Sequence, residues 1–233
     1  MIEKLHKPKG IALIAVFAAL HTVLSSLPFT IAIGVSGGSI TLGVISAPLI
    51  GILLGPITGG LSVMIGSIIA MFINPSGALL LVASFLPPTV GAISAGFAIK
   101  KRGYISAAML LVGILAFYSH PIGREAIYYP FMHLIALALA LIFSTRLAVW
   151  STELSNINKL SLGVTIAAFV GTLTDHIVGS SIALWLYKIP TATWNFITPV
   201  YPVERIVAVI ITVAIALPLY YSLRRSGIYN LIK

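Results

Sequence analysis

Apolar residues run along this chain in long unbroken blocks rather than at every second position, a pattern of lipid-embedded helices and not of barrel strands. Eight blocks can be marked: Gly10–Leu27, Ser39–Leu54, Ile57–Ile73, Ala78–Ile99, Ile105–Tyr118, Ile127–Phe143, Leu160–Tyr187 and Arg205–Leu223. Crossing a bilayer takes about 20 residues, with about 17 as a lower limit. The second, third and fifth blocks sit at or below that limit. The pattern therefore predicts an all-α, polytopic transmembrane bundle of six to eight helices, forming one integral membrane domain over residues 1–233. The first block has no small-residue cleavage site leading into a soluble domain, so it reads as a retained span.

Within the second and third blocks the stretch "PLIGILLGPITGG" interrupts this simple picture. Gly43, Ala47, Gly51, Gly55 and Gly59 recur at every fourth position, which on a helix makes a stripe that lets a neighbouring backbone approach closely. Gly55-Pro56 is a natural break, because proline disfavours helix before it and fits the first turn of the helix after it. Two short helices joined by a tight turn are expected here. A second small-residue row, Ser62, Gly66 and Ala70, continues in the third block.

Composition identifies the solvent. The chain is 59% hydrophobic and 8% charged, with a mean hydropathy of +1.09, whereas soluble domains are about 25% charged. Lipid must face most of that apolar surface, and every backbone polar group must then be satisfied internally. Absence of cysteine excludes disulfides and thiolate chemistry. With eight spans and a cytoplasmic N-terminus, Lys4, Lys7, Lys9, Lys100, Lys101, Arg102, Arg146, Lys159, Arg224, Arg225 and Lys233 fall on the inner side. Only Arg124, Lys188 and Arg205 fall outside, so both termini are expected in the cytoplasm. The net charge of +9 is thus a topology signal and implies no nucleic acid.

Candidate chemistry concentrates toward the outer side. Asp175 lies midway along Leu160–Tyr187, about 18 Å from its outer end at 1.5 Å per residue. A carboxylate at that depth costs about 2.5–3.5 kcal/mol on insertion scales, and such groups are paired or line a cavity. Thr172 and Gly179 share its face, and His176 adjoins it in "GTLTDHIVGSS". An internal hydrogen-bond knot and a ligand or ion contact both fit this cluster. Glu125 in "YSHPIGREAIYY", and Trp194, Asn195, Tyr201 and Glu204 in "WLYKIPTATWNFITPVYPVER", complete the tentative substrate-binding set. Trp194 and Asn195 are expected in a proline-stiffened loop, serving as a lid or as simple loop packing. Glu204 and Arg205 at a helix start also suit an acidic first-turn residue with an interfacial charge beside it. These patterns require no catalytic residues, no metal and no cofactor. His21, His133 and His176 lack the i, i+4 pairing of metal sites.

The basic N-terminus leads into "ALIAVFAALHTVLSS", a largely uncharged outer loop precedes "ISAPLIGILLGPITGGLSVMIGS", and a last apolar helix ends in "LRRSG". In these features the chain resembles the S component of an energy-coupling-factor (ECF) transporter, the membrane subunit that captures a vitamin or similar micronutrient. The resemblance covers Lys4 to about Arg102. It implies that Ala15 and Ala19, in an AxxxA pattern, form a face coupling to a T component. It also implies an outer binding cavity roofed by loops that include Thr30–Gly38. Partners would be the T component, two cytoplasmic ATPase subunits, a small-molecule nutrient and membrane lipid. Such subunits have six helices, and the surplus here falls at Ile105–Phe143, so ligand residues do not carry over by alignment.

No GxxxxGK[ST] loop is present, so energy for uptake would come from partners and the chain is not expected to be an enzyme. Two alternatives stay open at this stage. One is a secondary transporter coupled to an ion through Asp175. The other is a haem-binding or accessory subunit of a membrane complex that uses His21, His133 and His176.

Overall fold

The computed structural model describes residues 8–31, 39–100, 102–144, 146, 149–150 and 153–225. Its helices are α1 (Pro8–Ser25), α2 (Gly43–Leu54), α3 (Pro56–Ile73), α4 (Leu86–Ala98), α5 (Gly103–Ser119), α6 (Pro121–Glu125), α7 (Phe131–Ile142), α8 (Ile157–Tyr187), α9 (Thr191–Ile197) and α10 (Tyr201–Arg225). A small antiparallel hairpin, β1 (Pro28–Ile31) with β2 (Ser39–Thr41), joins α1 to α2, and Thr30 pairs with Ile40. Most of the other described residues are helical.

Among the described residues, four helical runs are long and apolar enough to cross a membrane: α3, residues 81–98, α8 and α10. Four more apolar helices, within α1, α2, α5 and α7, are shorter. Side chains such as Val16, Phe72, Val112, Ile142 and Ile210 are more than half exposed. An apolar belt of that extent marks a membrane-associated protein.

Several boundaries differ from the sequence expectation, each for a local reason. The block Ser39–Leu54 is not one helix, because Ser39–Thr41 pairs with Pro28–Ile31 and helix begins only at Gly43. The block Ala78–Ile99 likewise starts in turns, with a short 3-10 stretch at Leu81–Ala83. Helix α4 begins at Leu86 because Pro87 and Pro88 lack N–H groups and fit only a first turn. The Gly55-Pro56 break lies where expected: Gly55 has φ +82°, and Pro56 opens α3. A side chain at Gly55 would be strained by that φ and would strike Lys100.

Helix α2 is the hub. All 12 of its residues are buried, and α1, α3, α4, α8 and α10 surround it. Beside it α4 and α8 cross closely. A Cβ on Gly91 would approach the Asp175 Cβ to 2.7 Å and the Gly171 carbonyl oxygen to 2.9 Å. One turn on, Ser94 and Thr174 hydroxyls hydrogen-bond at 2.8 Å. His21 pins α1 to α2 and α3, its Nδ1 meeting Ser46 Oγ at 2.7 Å and its Nε2 meeting Ser67 Oγ at 2.9 Å. With lipid outside, such small-residue and hydroxyl contacts hold helices together where no hydrophobic force can.

Candidate functional site

One end of the bundle gathers the end of α1, the hairpin, the start of α2, the end of α3, the turns before α4, the C-terminal half of α8, α9 and the start of α10 around a cavity of about 520 Å³. That volume suits a small organic molecule. Lys100, Arg102 and Arg146 instead lie beyond the opposite helix ends, and Lys159, Arg224 and Arg225 lie in the terminal turns there.

The Gly91–Gly171 crossing fixes Asp175, whose side chain lines the cavity from α8. Among the described residues it takes part in no hydrogen bond or ion pair, and Arg205 is the charge that acts on it. His176, one position on, is fully engaged. Its Nδ1 meets His133 Nε2 at 3.1 Å and its Nε2 meets Tyr129 Oη at 3.2 Å. Tyr129 Oη also bonds Ser180 Oγ at 2.6 Å. Tyr201 Oη donates to the Tyr129 carbonyl at 2.8 Å, tying α10 to the turn before α7. Trp194 is buried, donates from Nε1 to the Ile189 carbonyl at 3.0 Å, and packs edge-on against Tyr129 at 4.7 Å between centroids. These bonds lock the aromatic wall in place, so the cavity is preformed.

Five of the seven sequence-derived binding residues, Asp175, His176, Trp194, Tyr201 and Glu204, thus line one cavity. Glu125 and Asn195 do not. They are exposed and border a shallower depression with Tyr128, Phe131 and Thr198. Glu125 accepts a hydrogen bond from Thr191 Oγ1 at 2.5 Å, which anchors α9. Trp194 and Asn195 lie on the short helix α9 rather than in a loop, because Pro190 lies just before its first turn. Of the expected roof, Thr30 and its neighbour Phe29 line the cavity, while residues 32–38 lie outside the described residues.

Sequence reasoning gave Arg205 only a place beside Glu204 at the interface. In the structure it is 5% exposed and lines the cavity, bonded from Nη2 to Glu204 Oε1 at 3.3 Å. Its Nε is buried without a partner. A signal existed: an arginine near the start of a long, largely apolar helix. Ser67 and Asn74, from the C-terminal part of α3 and its cap, and Tyr129, from the turn before α7, were also missed as lining residues, because these segments are far apart in the chain.

Of the three histidines, His133 and His176 meet, with rings stacked at 5.1 Å between centroids, and His21 is bonded elsewhere. Serine hydroxyls occupy both nitrogens of His21, and His176 uses both of its own on His133 and Tyr129. Ala15 and Ala19 are exposed on α1, beside Val16 and Leu20.

Among known proteins, an uncharacterized protein of Methanocaldococcus jannaschii is 35% identical over 163 residues, which cover 69% of this chain and 54% of the relative. The chain spans about half the length of the curated relative it matches. No family model matches the chain, and no solved structure matches it.

Proposed function

We propose that the protein is the substrate-capture subunit of an ATP-driven micronutrient uptake transporter in the cell membrane. In this reading six to eight spans cross the bilayer, both termini are cytoplasmic, and the 520 Å³ cavity faces outward. The carrying observation is that cavity: a preformed, aromatic-walled site at the bundle end away from the clustered basic residues. The protein binds and releases its cargo without altering it. Power comes from a T component and two cytoplasmic ATPase subunits, because the chain carries no nucleotide-binding loop. Exposed Ala15 and Ala19 provide a low, smooth face on α1 for the T component.

Affinity purification from native membranes tests this reading. A second integral membrane protein and nucleotide-hydrolysing subunits should accompany the chain. Recovery of the chain alone, without ATPase activity, contradicts it. One observation favours a second reading, ion-coupled secondary transport: the Asp175 carboxylate lines the cavity at membrane depth with no bonded partner among the described residues. Concentrative uptake by the purified chain in liposomes, driven by an ion gradient alone, would select that reading instead.

A further inference from the structure

We propose that the cavity selects a small amphoteric molecule that donates N–H to Asp175 and offers a carbonyl or carboxylate oxygen to Arg205, with a flat body against the aromatic wall. This inference rests on the capture-subunit reading and specifies its cargo.

Arg205 carries the first half of the argument. Its side chain is buried, and a guanidinium has five N–H donors and no acceptor. Glu204, its sequence neighbour, takes one of them at 3.3 Å. Its remaining donors include those with which it lines the cavity, and buried charged donors are strongly unfavourable when left unpaired. A ligand oxygen there accepts a charge-assisted hydrogen bond from the guanidinium.

Asp175 carries the second half. Its carboxylate, acceptor-only when ionised, faces the same cavity from α8 and joins no ion pair with Arg205. The two groups sit on different helices and are held apart. The Gly91–Gly171 crossing fixes one, and the Tyr201–Tyr129 bond anchors the first turn that carries the other. A molecule with a donor at one end and an acceptor at the other bridges them.

Charge balance removes the simplest competitor. The charged lining side chains are Asp175, Glu204 and Arg205, two carboxylates against one guanidinium. His176 adds no free site, since both its nitrogens are bonded. A purely anionic ligand would therefore meet net repulsion in this cavity, whereas a neutral amphoteric or cationic one would not. The walls supplied by Phe29, Trp194 and Tyr201 favour a flat ring, which can also present its π-face to a cation.

The test uses the full chain purified in detergent and two matched probe sets, one built on indole and one on pyridine. Each set has an amphoteric, an amine-only, an acid-only and an uncharged form. Glycerophosphoethanolamine serves as an amphoteric lipid headgroup without the ring. Calorimetric titration should give amphoteric forms at least tenfold tighter binding than acid-only or uncharged forms, with the headgroup probe at least tenfold weaker. Asp175→Asn should weaken amphoteric and amine-only probes about tenfold and leave acid-only probes unchanged. Arg205→Gln should do the converse, and Arg205→Lys should restore part of the loss. The melting temperature of each variant shows that it is folded. Tightest binding of acid-only or uncharged forms, equal loss for all four forms in Asp175→Asn, or no binding by either set overturns the proposal. Tightest binding of the headgroup probe overturns it in favour of a lipid. Partner recovery from native membranes is measured separately, so a preserved charge pattern with no partners would contradict the capture-subunit reading alone.

Discussion

Two rows of small residues, alike in sequence, end up in opposite surroundings. Gly43, Ala47, Gly51, Gly55 and Gly59 repeat every fourth position, as do Ala15 and Ala19. Gly43, Ala47 and Gly51 of the first row lie on α2, whose every residue is buried, Gly55 is the break and Gly59 lies on α3; a Cβ at Gly51 would land on the Ala92 carbonyl of α4. The second row lies open on α1. Close approach of backbones explains the first without any partner, and the same chemistry on α1 leaves Ala15 and Ala19 exposed among the described residues. Spacing alone says that a helix will be approached closely, not by whom.

The largest expected effect breaks the internal row. Gly51→Leu drives a side chain into the α4 backbone, which no rotamer change relieves, so stable protein should be lost altogether from detergent extracts. Recovery of well-folded Gly51→Leu would mean that α2 and α4 separate easily. Next is the pin between α1 and its neighbours. His21→Ala leaves the Ser46 and Ser67 hydroxyls without their shared partner and opens a hole. A loss of about 2–3 kcal/mol, seen as a fall in melting temperature of about 5–10 °C, is expected.

On the exposed row the expectation reverses. Ala15→Trp should change the melting temperature by no more than about 2 °C, because the ring projects away from the packed core. A large fall would place Ala15 in the packing. The smallest effects belong to the depression beside the cavity. Asn195→Ala and Glu125→Gln should alter retention of co-purifying small molecules by less than about twofold, since neither side chain lines the cavity. A tenfold loss from either would enlarge the site to include them.

Much of this was legible in the chain. Long apolar blocks located the helices, Gly55-Pro56 marked the turn, and Asp175 and His176 announced themselves as polar groups in an apolar run. What stayed hidden depended on pairing between distant segments. The strand Ser39–Thr41 reads as part of an apolar helix until Pro28–Ile31 is beside it. Glu125 and Asn195 share the cavity's end of the bundle but face outward, a matter of helix rotation that loop composition does not encode. Arg205 looked like an interfacial charge because it is buried beside a cavity built from segments that sequence spacing does not connect to it.

The proposed division of labour between a gripping cavity and a docking face is tested most directly with Ala15→Trp/Ala19→Trp. The double variant is purified from native membranes, and the recovered partner subunits and the small molecules retained are measured together by mass spectrometry. Partner recovery should fall at least tenfold while retained small molecules stay at the level of the unaltered protein. Unchanged partner recovery, or loss of both together, would contradict it.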